Sequence, residues 1–86
     1  MPEISRFLGI VIAMYYDDHN PPHFHARYGS HKASIVIKDF SVLAGSLPPR
    51  VMGLAVEWAA LHGEELLRDW ESAKANRPLA PIAPLE

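Results

Sequence analysis

The sequence predicts an α+β domain: a small antiparallel sheet of three to four strands, packed by one long C-terminal helix and followed by an extended proline-rich tail. Three observations predict it. Residues 23–38 alternate apolar and polar side chains around a Gly-Ser pair, as a half-buried hairpin does. Residues 50–75 carry an apolar stripe at helical spacing. After Asn76, proline recurs at every third position.

The first element is the run FLGIVIAMYY. Leu8, Ile10, Ile12 and Met14 point one way in an extended chain, while Phe7, Val11, Ala13 and Tyr15 point the other, so both faces are apolar. That pattern suits a strand covered on both sides or lying at the centre of a sheet. DDHNPP, residues 17–22, is turn chemistry throughout, and its two prolines block ladder hydrogen bonds.

HFHARY and HKASIVIK follow, separated by Gly29-Ser30, which fits a two-residue type II′ turn. The turn sets the register: Tyr28 opposite His31, Arg27 opposite Lys32, Ala26 opposite Ala33, His25 opposite Ser34 and Phe24 opposite Ile35. One face then holds Phe24, Ala26, Tyr28, Ala33, Ile35 and Ile37, and the other holds His23, His25, Arg27, Lys32, Ser34, Val36 and Lys38. A one-residue slip would bury Arg27 and Lys32, so the register is strongly specified. A short strand over residues 41–44 ends at Gly45, and Ser46 is placed to cap a helix that tolerates Pro48 and Pro49 in its first turn.

The helix stripe comprises Val51, Leu54, Ala55, Trp58, Leu61, His62, Leu66 and Trp70, with Glu57, Glu64, Arg68 and Glu71 opposite. Gly63 costs about 1 kcal/mol relative to Ala and marks a bend or a close contact. Phe24, Tyr28, Ile35, Ile37, Val51, Leu54, Trp58 and Leu61 are expected to share one core. In the tail, Leu79, Ile82 and Leu85 form one apolar edge of a polyproline II ribbon that docks on its own domain or on a partner. The chain reads as a single domain over residues 1–86, with strands and hairpin in 1–47, helix in 48–75 and tail in 76–86.

Composition narrows the chemistry. The absence of cysteine excludes disulfides, thiolate catalysis and cysteine-ligated zinc. The N-terminus has no basic segment leading into a long apolar run, and no stretch reaches the about 20 apolar residues that span a bilayer. The expectation is a soluble, cytoplasmic protein that does not enter membranes. With only 86 residues and no staple, the core is of a size that partner chains often complete, so a homodimer or a hetero-complex is expected. Net charge is −2, but its distribution is polar: residues 19–38 hold Arg27, Lys32, Lys38 and four histidines without a carboxylate, while residues 57–71 hold Glu57, Glu64, Glu65, Asp69 and Glu71 against Arg68.

The histidines are the chemical signal. His23 and His25 project to one face of a strand, His19 lies in a loop able to fold over it, and Asp17 and Asp18 are within reach. His19, His23, His25 and Asp18 form a candidate ligand set for a divalent transition metal: zinc, nickel or iron(II). The same face offers a metal-independent alternative, with His23 and His25 as general acid and base and Arg27 and Lys32 stabilising a phosphorane-like transition state. The bland alternative is that these rings cap the proline loop and bond to backbone, on a solvated strand face. His31 is expected to pack against Tyr28, and His62 to be a satisfied boundary histidine on the helix. Asp17-Asp18 and Glu64-Glu65 are sequence neighbours whose side chains diverge, so neither is an acid/base pair, and no Ser-His-Asp spacing stands out.

ISRFLGIVIAMYYDDHNPPHFHARYG, GSLPPRVMGLAVEWAALHGEELLRDW and PLAPIAPLE together resemble the small bacterial family called Domain of Unknown Function 4160, with DHNPPHFH, residues 18–25, as the most specific motif. The resemblance implies the toxin component of a type II toxin–antitoxin module, with a Domain of Unknown Function 2442 protein as the cognate antitoxin-like partner. Arg27, His31 and Lys32 lie outside the family pattern. Gly29-Ser30-His31 and Gly45-Ser46-Leu47 also resemble, in the same order, two motifs of HicA-type mRNA interferase toxins, which implies a catalytic role for His31. Three functions follow as expectations. The first is a toxin acting on or binding RNA through His23, His25, His31, Arg27 and Lys32. The second is a non-catalytic metal- or small-ligand-binding module. The third is a protein-interaction domain using the tail and a sheet edge.

Overall fold

The computed structural model describes residues 2–86. Five strands form one antiparallel sheet in simple meander order: β1 (Glu3–Phe7), β2 (Ile10–Ala13), β3 (His23–Tyr28), β4 (His31–Val36) and β5 (Val42–Ser46). Two helices follow, α1 (Pro49–Leu61) and α2 (Gly63–Lys74). The α+β class is as expected; the strand count of three to four and the single long helix are not.

The extra strand comes from FLGIVIAMYY. Leu8 and Gly9 both take positive φ, 50° and 80°, and turn the run into a tight hairpin in which Phe7 faces Ile10. Two consecutive left-handed residues match the right-handed twist of the flanking strands. Leucine in that conformation is rare, which is why the turn is invisible in an apolar run.

The β3–β4 hairpin has the expected register, from Phe24 opposite Ile35 to Tyr28 opposite His31, with Gly29 at φ 58° and Ser30 completing the turn. β5 lies one to two residues later than expected, and Ser46 is its last residue rather than a helix cap. The cap position of α1 is Pro48, which makes no side-chain cap bond, and proline occupies the first turn, where its missing N–H costs nothing. Gly45 is required where it stands. Its φ is +76°, and a Cβ there would lie 2.0 Å from the Lys32 carbonyl oxygen.

The helical run breaks at His62, whose φ of −125° leaves the α region. Gly63 then opens α2, whose first turn carries Glu64 and Glu65, favourable beside the positive end of the helix dipole. Leu61, at the end of α1, is 68 % exposed, and Tyr28 is 38 % exposed; neither belongs to the core. Phe24, Ile35, Ile37, Val51 and Trp58 do, and Leu54 packs against it.

Trp58 organises that core. It is fully buried, its ring lies 5.5 Å from Phe7 and 5.9 Å from Phe24 between centroids, and its indole N–H donates to the Ala83 carbonyl at 2.8 Å. The tail therefore docks on its own domain. Ile82 is buried and its N–H donates to the Ile4 carbonyl, while Leu79 and Leu85 pack at the rim of the core.

Asp69 provides the third clasp. Grouped by sequence with the acidic end, it is instead buried, and its Oδ1 accepts the Ala80 N–H at 2.8 Å while Oδ2 has no partner. Burial pushes its carboxyl above the ordinary range, opposed by the Ala80 hydrogen bond, with Glu65 raising it further and Arg68 lowering it.

Two predictions follow from this packing. Trp58→Ala is expected to cost about 3–5 kcal/mol, enough to unfold so small a domain, and an unchanged melting temperature would contradict the core described. Asp69 has a folded-state pKa above its unfolded one. Its contribution is therefore fullest below the unfolded value and declines as pH rises through the folded one. The gap in melting temperature between the native chain and Asp69→Ala should thus be wider near pH 4 than at pH 8.

Candidate metal centre

β3 begins directly after the proline loop, so its first residues inherit a fixed start. Ile37 N–H donates to the Pro22 carbonyl, holding that loop against the end of β4. The pleat then sends His23 and His25 to the same face, with ring centroids 5.1 Å apart. His23 is buried and packs on Trp70 of α2, at 5.3 Å between centroids. His25 is half-buried, with Tyr15 edge-on at 4.4 Å.

Asp18 reaches back from the loop to both rings. One of its oxygens, Oδ2, lies 2.8 Å from Nε2 of His25 and 3.3 Å from Nε2 of His23. The three candidate ligand atoms lie within 4.8 Å of one another. The far side of each ring is anchored too. Nδ1 of His23 lies 2.8 Å from the Pro21 carbonyl oxygen, which only accepts, so that nitrogen carries the proton. Nδ1 of His25 lies 3.2 Å from the Ser34 hydroxyl, its cross-strand neighbour.

These anchors constrain the centre. With Nδ1 of His23 protonated, a neutral ring turns the lone pair of Nε2 toward the Asp18 carboxylate. Two electron-rich atoms at 3.3 Å call for a proton or a metal cation between them. Ligand atoms about 2.0–2.1 Å from a common ion lie about 2.9–3.4 Å from each other in octahedral or tetrahedral sites, and the two contacts to Oδ2 fall close to that range. Histidines that bind metal characteristically donate their other ring N–H to a carbonyl or similar acceptor. The Pro21 carbonyl and the Ser34 hydroxyl occupy those positions.

The sequence-selected residues separate into those gathered here and those that are not. Asp18, His23 and His25 converge, while Asp17 is exposed and outside the cluster. His19 is exposed and does not join the ligand set. His31 is exposed at the hairpin tip opposite Tyr28, and belongs neither to the cluster nor to the cleft described next. Arg27 and Lys32 are exposed cross-strand neighbours lining a cleft of about 200 Å³ with His25, Ser34 and Tyr15. His62 is satisfied as expected, bonded through Nδ1 to Glu65 at 2.6 Å and packed on Trp58.

Sequence reasoning missed Ser34. No linear Ser-His-Asp spacing marks it, yet Asp18, His25 and Ser34 form a continuous hydrogen-bonded line. The hairpin register, which already paired His25 with Ser34, was the signal that could have found it.

Among known proteins, a family model described as "Domain of unknown function (DUF4160)" matches residues 9–71, which include β2 to β5, α1, the proline loop and the Asp18–His23–His25 cluster. The chain belongs to that family. No curated protein and no solved structure matched it.

Proposed function

We propose that this member of the DUF4160 family binds one divalent transition-metal ion through Asp18, His23 and His25. The observation that supports it is the convergence of two Nε2 atoms on one carboxylate, with each Nδ1 already engaged by an oxygen. Two imidazoles and one carboxylate suit zinc, nickel or iron(II) and leave coordination positions open for water or a ligand. His23, buried against Trp70, serves as a ligand in this reading and not as a general acid or base. Ser34 holds His25 in the ligating orientation. An ion in such a centre would acidify bound water and polarise a phosphoryl oxygen.

The wider role proposed is that of a toxin component acting on RNA, paired with an antitoxin-like protein of the Domain of Unknown Function 2442 type. It is supported by the placement of Arg27 and Lys32 beside His25, where they neutralise phosphodiester charge next to the ion. This reading replaces metal-free acid–base catalysis by His23 and His25 with metal-assisted hydrolysis, and it does not use His31.

Metal-stripped protein titrated with zinc or cobalt should take up one equivalent. Asp18→Ala and His25→Ala should abolish that uptake, and Ser34→Ala should weaken it about 10–100-fold. Full affinity in Asp18→Ala and His25→Ala would overturn the assignment. For the RNA role, loaded protein should cleave single-stranded RNA and lose that activity to a chelator, whereas intact RNA at low salt would retire it.

A further inference from the structure

The cleft beside the metal ligands holds an arrangement that folding alone disfavours. Arg27 and Lys32 face each other directly across β3 and β4, and like charges so placed are destabilising. Neither forms an ion pair among the described residues. Glu3, whose carboxylate feels the charge of Arg27, is already forked by Arg6 at 2.8 and 3.1 Å. No Asp or Glu lines the cleft. Two cations without an ion pair thus share a concave surface with His25, which belongs to both the cleft and the candidate metal centre.

The walls add a second constraint. Val11, Ala13 and Ala44 give the cleft an apolar floor, while Ser34 offers a hydroxyl beside the cations. A ligand seated there meets the charge of Arg27 and Lys32 and, on another side, His25 of the candidate metal centre. With the metal at +2, Asp18 at −1 and two side chains at +1 each, the local excess is positive, and a phosphate oxyanion carrying one or two negative charges offsets part of it. Arginine's planar fork and lysine's point charge are both established partners of phosphate oxygens.

We infer that this cleft is a phosphate-group site, in which Arg27 and Lys32 hold the oxyanion and one of its oxygens completes the coordination of the metal bound by Asp18, His23 and His25. This rests on the metal reading proposed above and specifies its substrate class: phosphate monoesters or diesters. Free phosphate, a nucleotide and an RNA backbone share that chemistry, and their sources are separated by experiment.

The test uses the full chain, loaded with zinc or stripped by chelator, with inorganic phosphate as the probe in calorimetry. Phosphate should bind the loaded protein, and Arg27→Gln/Lys32→Gln should lower its affinity by about tenfold or more while zinc uptake is unchanged. Because the like-charge pair is removed, the melting temperature of that variant should hold or rise, which separates lost binding from lost folding.

Zinc uptake without phosphate binding overturns the inference and leaves the metal reading standing. Absence of zinc uptake overturns the metal reading, and with it the shared-oxygen site. Phosphate affinity equal in loaded and stripped protein also overturns the inference as stated. Adenosine 5′-monophosphate and an oligouridylate lacking terminal phosphates serve as competitors. Displacement by the first alone assigns a phosphate terminus, and displacement by both assigns a backbone. Displacement by neither overturns the site.

Discussion

The register of the β3–β4 hairpin is the constraint on which the rest of this molecule depends. A strand offers two faces and no third choice, so a single turn decides the destination of every side chain along both strands. With Gly29 and Ser30 at the corner, Phe24, Ala33 and Ile35 go to the core beneath α1, and His25, Arg27, Lys32 and Ser34 go to the other side. Both the packing that stabilises the domain and the group of polar side chains that gives it chemistry are consequences of one decision. The two are therefore linked: any sequence change that shifts the register exchanges the core for the cleft.

The centre itself combines unequal partners. His23 is enclosed and tied to both the Pro21 carbonyl and the Trp70 ring, whereas His25 is half open toward the cleft. Asp18 belongs to the loop and joins them. An enclosed imidazole, an accessible imidazole and a loop-borne carboxylate would suit the proposed metal centre, held in place on one side and open to an incoming molecule on the other. The cations lie on the open side, so the electrostatic gradient runs from buried aromatic surface to solvent-facing charge.

What was legible in the sequence follows physical locality. The β3–β4 pairing was readable because its alternation and its turn residues agree, and agreement between levels is what specifies a structure. The Leu8–Gly9 turn was not, because leucine is no turn signal and both flanking faces are apolar, so nothing in the pattern distinguishes one buried strand from two. The break at His62 needed only one residue to leave helical geometry, and Gly63 showed the place without showing the outcome. Leu61 fell on the drifting stripe but lies where α1 ends and its face has turned to solvent. Asp69 was misread because the partner that explains its burial is a backbone N–H eleven residues further on, in the tail. In the site, His23 and His25 were legible through the pleat, whereas excluding His19 and including Ser34 required knowing how a loop folds back and which neighbour a ring meets.

The docking of residues 79–85 bears on when this protein can acquire its shape. Ile82 bonds to Ile4 and Ala83 to Trp58, so one segment secures two others that lie 78 and 25 positions away in sequence. Contacts of such long sequence separation form only after most of the chain is free to close the loop. The indole N–H of Trp58, fully buried, has its acceptor at the Ala83 carbonyl only while that segment is docked. The interior around Trp58 is therefore complete only when residues 79–85 lie in place against it.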